Sequence, residues 1–404
     1  MKLKVPVLLL ASCCFALPVV AQSAPQGGAG AEVISTVTGA VRVERLAGLE
    51  LPWGMAFLPD GRLLVTEKPG RLRVWAGGRL SEPVAGVPKV AYRDVETEQG
   101  GLLDVAVDPD FASNGFVYLS YAEAAEQQPP DLVDTPESRF GDFVLDDNVL
   151  KGGAVARARL VEGQLRDLQV IWRQAPKTIG RGHFALRLVF APDGTLFVTS
   201  GERMRFEPAQ SRTSNLGKVV RINRDGSTPP DNPFAGQKDA RADIWSLGHR
   251  NLLAAAVHPP SGQLWVLEMG PQGGDELNVI AAGKNYGWPV VSNGDNYDGS
   301  PIPDHPARKE FEAPQRSWTP VLSPSGMLFY GGSLFPAWRG NALAGGLSSK
   351  AIIRLTLDGT RIVDEERIDM KRRIRDVIEA PDGALLALVD DKKGELLRLT
   401  PAGK

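Results

Sequence analysis

The chain has 404 residues, 43% of them hydrophobic and 23% charged, with a formal net charge of −2. Neither charge sign dominates and no basic stripe is present, which argues against nucleic acid as a partner, because phosphate binding needs clustered Lys and Arg. The 44 glycines and 31 prolines point to a turn-rich β protein, and beyond the N-terminal segment no stretch is long or apolar enough to span a bilayer.

The N-terminus, MKLKVPVLLLASCCFALPVVAQSA, has basic Lys2 and Lys4, an apolar run and small residues before Gln22. This is the pattern of a secretory signal peptide over residues 1–21, so export to the periplasm is expected. Leu10-Ala11-Ser12-Cys13 also matches a lipoprotein cleavage box, the alternative being a lipid anchor through Cys13. Both cysteines, Cys13 and Cys14, fall in this segment, so a chain cleaved after Ala21 has no thiol chemistry. Residues 22–40 are expected to form a flexible leader.

From residue 41 to 404 one phrase recurs: a Pro-Asp-Gly or related turn followed by a short alternating apolar strand. The copies are PDGRLLVTE from Pro59, PDFASNGFVYLSY from Pro109, PDGTLFVTSGE from Pro192, PPSGQLWVLEMG from Pro259, FPAWRGNALAGGL from Phe335 and PDGALLALVDD from Pro381. Turn chemistry followed by period-two strands, repeated six times, predicts an all-β, six-bladed β-propeller in a single domain, with a β-sandwich as the rival. Gln127 to Gly152 lacks the phrase and carries Asp131, Asp134, Glu137, Asp142, Asp146 and Asp147, which reads as an acidic inter-strand insertion.

A propeller gathers its loops at one end of the central channel, so chemically suggestive loop residues should meet there. His183, in GRGHFALRLVF, precedes a strand and is placed at a strand entrance facing the channel; His249 lies in WSLGHRNLL, while His258 and His305 adjoin prolines and look superficial. Gly270 to Pro289 places Gly270, Pro271, Asp275 and Glu276 in a glycine-rich loop suited to the oxygen-only ligation of Ca²⁺, or to a merely solvated turn. Arg187, Arg250, Arg373 and Arg375 occur in strand phrases; the alternation in Arg373-Ile374-Arg375 puts two guanidinia on one face, suiting a small polycarboxylate, against the plainer reading of solvated charges. No Walker loop or dinucleotide fingerprint is present.

The ordered series LPWGMAFLPDG, QGGLLDVAVDPDF, GHFALRLVFAPDG, SNLGKVVRINRDGSTPPDNPF, IWSLGHRN, GPQGGDELNVIAAGKNYGWP, SWTPVLSPSGMLFY and RIRDVIEAPDGALL resembles the soluble quinoprotein aldose sugar dehydrogenases, the glucose/sorbosone dehydrogenase group. The family fold is a six-bladed propeller that binds pyrroloquinoline quinone (PQQ) and Ca²⁺. The resemblance implies that His183 is the general base for oxidation of an aldose at its anomeric hydroxyl to a lactone, with hydride passing to PQQ and electrons to an external acceptor. Arg250 stands beside His183 in the catalytic set. Gly270 and Pro271 would offer carbonyls to the catalytic Ca²⁺, and Glu276 and Tyr286 would hold a second, structural ion. Arg187, Arg250, Asn251, Arg373 and Arg375 would contact the cofactor, Gln99 the sugar and quinone, and Trp318 the substrate mouth. The chain is expected to be a monomer or homodimer.

The chain departs from the family at Ala185-Leu186, which adds bulk beside the sugar pocket, and at Glu202-Arg203-Met204-Arg205. A lysine of many members is Ser348 here, with Lys350 on the same strand face as the substitute. A non-catalytic binding propeller and a calcium-dependent lactonase remain as alternatives, since fold does not fix function.

Overall fold

Each recurrent phrase makes the turn between the first and second strands of an antiparallel sheet. In three copies the aspartate accepts a hydrogen bond from the backbone two residues on, from Arg62 to Asp60, Thr195 to Asp193 and Ala384 to Asp382. The glycine that follows sits at positive φ, as at Gly61 (85°) and Gly194 (82°), where a side chain would be strained. The computed structural model describes residues 31–131 and 147–403.

Six such sheets form a six-bladed β-propeller. The inner strands are Pro52–Phe57, Leu102–Val107, Ala185–Phe190, Leu252–Val257, Pro324–Phe329 and Ile374–Glu379, numbered here as blades 1 to 6. The ring closes where Gly39–Leu49 from the N-terminal side pairs with Gly394–Pro401 from the C-terminal side, Val41 opposite Pro401 and Leu49 opposite Gly394. Closure of this kind leaves no inner edge unpaired. Apolar clusters fill the spaces between neighbouring blades, for example Met55, Leu63 and Val65 of blade 1 against Leu386 and Leu388 of blade 6.

Every inner strand carries a register shift in its first half: Pro52/Met55, Leu102/Val105, Ala185/Leu188, Leu252/Ala254, Ser325/Met327 and Ile374/Asp376. Bulges add twist and re-aim side chains, so six of them at one level turn residues toward the axis. Arg187 occupies that axis. Its guanidinium reaches Asp104 (3.3 Å) and Asp376 (3.2 Å), donates to the carbonyls of Leu253 (2.8 Å) and Arg375 (3.1 Å), and lies 4.1 Å over the Trp53 ring. Glycines make the room: a Cβ at Gly54 would come within 2.4 Å of an Asp104 carboxylate oxygen, and one at Gly326 within 2.0 Å of Asp376. Arg187 is therefore the axial tie of the propeller and not a cofactor contact, a correction to the sequence-based expectation.

The leader is also shorter than expected, because Glu32–Thr36 pairs with Gly39–Leu49 as a fifth strand of blade 6. The acidic insertion joins the second and third strands of blade 2. Asp134, Glu137, Asp142 and Asp146 lie outside the described residues, as does the segment 1–21. Asp147 is not solvated: it is fully buried, with an oxygen 2.6 Å from Lys151 Nζ. Among the described residues no helix is long and apolar enough to cross a membrane.

Candidate active site

The inner strands all begin at one end of the channel, and there they leave a cavity of about 800 Å³. Its walls include Trp53 and Lys68 of blade 1, Gln99 before blade 2, Ala185 of blade 3, and Arg375 and Asp390 of blade 6.

His183 stands beside it, two residues before the blade 3 inner strand, on backbone at φ 50°. Its amide donates to Gln99 Oε1 at 2.8 Å, and its Nδ1 lies 2.5 Å from Glu202 Oε1. Gly201 allows this approach, since a Cβ there would lie 2.0 Å from the His183 carbonyl oxygen. Arg203 braces the same loop: its guanidinium donates to the carbonyls of Gly180 (2.5 Å), Gly182 and Lys151 (both 2.9 Å), and stacks 3.7 Å over Phe184. Glu202 Oε2 accepts from the amides of Arg205 and Phe206. The Glu-Arg-Met-Arg segment that departs from the family pattern thus holds the histidine loop from behind.

Burial and then the charge of Arg250 depress the His183 pKa below that of a free imidazole. Burial alone would raise Glu202, but the His183 ring, its hydrogen bond and Arg250 hold the carboxyl below its usual range. The pair is therefore a neutral imidazole donating Nδ1–H to a carboxylate, which leaves the Nε2 lone pair as an acceptor.

Arg250 adjoins this pair, its carbonyl accepting from the Glu202 amide at 2.9 Å. Its guanidinium donates to the carbonyls of Gly270 (2.7 Å) and Met269 (3.1 Å) and to the hydroxyl of Tyr297 (3.2 Å). Arg250 Nε and Asn251 Oδ1 are buried without a hydrogen-bond partner among the described residues. Tyr297, 44% exposed, is an aromatic ring facing solvent next to the site.

Across the cavity Arg373 and Arg375 share one carboxylate: Arg373 reaches Asp390 Oδ2 at 2.7 Å and Arg375 reaches Oδ1 at 2.9 Å. The two guanidinia do lie on one face. Burial would raise the Asp390 carboxyl, but Arg375 and Arg373 hold it down at about 2.

Several expected site residues stand elsewhere. Trp318 is 4% exposed, packed between blades 4 and 5 with its indole N–H on Glu365, so it does not line the substrate mouth. Lys350 and Ser348 sit in the turn between Ala342–Gly346 and Ala351–Asp358, not on a strand face, and Lys350 is exposed. The Tyr286 hydroxyl is committed to Val279 O (2.7 Å) and the Ala281 amide (2.9 Å). Both Glu276 oxygens face partners, His305 at 3.2 Å and Asn278 at 3.3 Å. The side-chain oxygens of these two residues are thus engaged within the protein, which leaves the Tyr286 carbonyl and the remaining Glu276 lone pairs as the donors a second ion would use. Asp275 is a backbone latch, accepting from the amides of Gly270 (2.8 Å), Leu322 (2.6 Å) and Ser323 (2.7 Å), and burial raises its carboxyl to about 6. His258 and His305, expected on the surface, are 4% and 5% exposed. Leu186 is fully buried in the core, so of the bulky pair only Ala185 lines the cavity.

From the sequence, Glu202 stands only within a segment that departs from the family pattern and Asp390 has no role, although a signal exists for both. The second strand of a blade repeatedly has an acid at its end or within two residues after it: Glu67 and Glu268 end their strands, Asp390 follows Val389 and Glu202 lies two residues after Ser200. Each then meets a cation or histidine, as Glu268 meets His249 Nδ1 at 3.0 Å and Glu67 meets Arg71 at 2.7 Å.

Residues 49–398 match the family described as Glucose / Sorbosone dehydrogenase. The chain is 39% identical over 363 residues to the aldose sugar dehydrogenase YliI of Escherichia coli, covering 87% of this chain and 91% of that one. The solved structure of the soluble aldose sugar dehydrogenase from Escherichia coli in its apo form superposes with a TM-score of 0.80, covering 90% of this chain and all of that one at 39% identity. The PQQ-bound aldose sugar dehydrogenase from Streptomyces coelicolor superposes with a TM-score of 0.67 at 27% identity, over 89% of this chain and 98% of that one.

Proposed function

The chain belongs to the glucose/sorbosone dehydrogenase family, whose members oxidise sugars, and from that premise we propose that it is a PQQ- and Ca²⁺-dependent aldose dehydrogenase acting at the anomeric hydroxyl to give the lactone. The observation that carries this reading is the His183–Glu202 pair beside a cavity whose opposite wall holds Arg373 and Arg375.

The residues present fit the cofactor. The cavity is lined by cations suited to carboxylates, and the buried, partnerless Arg250 Nε and Asn251 Oδ1 are polar atoms that a quinone's oxygens and ring N–H could satisfy. Among the described residues no group of three or more His, Cys, Asp or Glu side chains is suited to a metal. A Ca²⁺ ion would therefore rest on backbone carbonyls; that of Gly270 already faces a cationic group, the Arg250 guanidinium. Gly270 and Pro271 are the proposed donors.

PQQ bound there would supply the acceptor for the hydride leaving the anomeric carbon. The protein's own contribution begins at His183 Nε2, which takes the proton of the anomeric hydroxyl as the C–H bond breaks. Glu202 holds the ring by Nδ1–H and stabilises the imidazolium that forms. Gln99 fixes the His183 backbone, and Trp53, Phe184, Leu253 and Met269 make part of the wall apolar, which limits water. An external acceptor would take up the electrons, and the site of action proposed for the chain is the periplasm.

Glu202→Gln should lower turnover on the order of 10–100-fold, as loss of an orienting partner does, with the sugar KM little changed; steady-state kinetics would check this. The function as a whole is tested by titrating the purified protein with PQQ and Ca²⁺ and assaying dye reduction with a panel of aldoses. Aldose-dependent reduction requiring both additions is expected. A protein that takes up no PQQ, or that hydrolyses lactones without it, would overturn the assignment.

A further inference from the structure

Lys68 follows the second strand of blade 1 and lines the cavity with only 8% of its surface exposed. Its Nζ donates to the Glu98 carbonyl at 2.6 Å. The nearest acidic side chains are already engaged. Both Asp390 oxygens are taken by Arg373 and Arg375. The Glu98 carboxylate turns to Lys151 Nζ (3.2 Å) and the Gly100 amide (2.7 Å). Buried Lys68 and Arg375, with the exposed Arg373, thus gather around the Asp390 carboxylate, an excess of positive charge whose buried part is costly unless an anion arrives. The exposed Lys350, by contrast, has no place in this wall.

We propose that Lys68 is a cofactor-binding residue, its ammonium gripping a carboxylate of the bound polyanion from blade 1, beside the Arg373–Arg375 pair. This rests on the PQQ reading above. Burial, then Arg375, pull the amine down to about 8, with Arg373 adding to that pull and Asp390 and Glu98 opposing it. A carboxylate at Nζ would restore the proton, so binding should weaken as the free amine deprotonates.

The test is a PQQ titration with Ca²⁺ present, followed by cofactor absorbance, on the wild type and on K68M, K68R and K350M, with melting temperatures as the check on folding. K68M should raise the dissociation constant about tenfold or more, as loss of a charge-assisted contact does, and K350M should leave it within about twofold. Wild-type affinity should fall between about pH 7 and 9, and K68R, whose guanidinium stays charged, should flatten that profile. K68R carries the test alone should K68M fail to fold. Wild type that binds PQQ while K68M binds equally well, or a K68R profile matching the wild type, would overturn the role of Lys68 alone. Wild type that binds no PQQ would overturn it together with the cofactor reading.

Discussion

His183→Ala should lower sugar turnover by roughly 10²–10⁴-fold, the usual contribution of a positioned general base, while PQQ binding survives. The two effects separate because His183 lies on the blade 3 side of the cavity, whereas the cations suited to the cofactor's carboxylates come from blades 1 and 6. Replacement removes the one acceptor held at that position, and no neighbour can deputise: Glu202 reaches only the Nδ1 side, and the Arg250 guanidinium has no site to accept a proton. The pH profile gives an independent check. A base works in its deprotonated form, and burial with Arg250 moves the His183 pKa below the ordinary 6.5. Wild-type kcat/KM should therefore hold through the range where a free imidazole protonates and fall only at lower pH. In His183→Ala that acid limb should vanish. Turnover near the wild-type level, or an acid limb unchanged in the variant, would remove His183 from the mechanism.

The sequence made some of this site visible and concealed the rest for definite reasons. The Pro-Asp-Gly phrases were legible because a turn aspartate and a glycine at positive φ are local requirements, and all six mark the turn after an inner strand. The pairing of Arg373 with Arg375 was legible by strand alternation, although the acid between them, Asp390, comes from the next strand. Arg187 and Trp318 were misplaced because motif position records distance along the chain and not depth along the propeller axis. Arg187 lies at the bulge, where the strand turns its side chain inward to Asp104 and Asp376. Lys350 failed for a related reason: alternation applies only within a strand, and the strand ends at Gly346. The role of Glu202 was overlooked because its partner is brought close only by the pairing of two strands.

Arg187→Met should destabilise the fold by about 3–5 kcal/mol at neutral to alkaline pH, the scale for removing one partner from a buried ionic group. The side chain is 4% exposed and ties blade 3 to Asp104 of blade 2, Leu253 of blade 4 and both Arg375 and Asp376 of blade 6, with Trp53 of blade 1 against its face. Without it, two buried carboxylates face each other with only backbone donors, from Leu188 and Val105 to Asp104 and from Met55 to Asp376. Their titration gives the prediction its signature. Burial already raises both carboxyls in the wild type, Asp376 to about 7, against the cation's opposing pull. A raised folded-state pKa contributes stability that is fully present below the unfolded value near 3.8 and is lost as pH rises through the folded value. Removing the cation raises both pKa values further, so the variant's deficit should grow as pH rises through about 7, where Asp376 titrates in the wild type, and shrink toward about pH 5, where Asp376 carries its proton. Urea unfolding of the two proteins across that range measures it. The triple variant Arg187→Met, Asp104→Asn, Asp376→Asn should recover part of the loss and show little pH dependence from this cluster. Because Arg187 also holds the Arg375 carbonyl at 3.1 Å, PQQ affinity should weaken in the single variant even under conditions where it is folded. A deficit below about 1 kcal/mol, or one equal at pH 5 and pH 8, would mean that the propeller does not depend on this axial charge group.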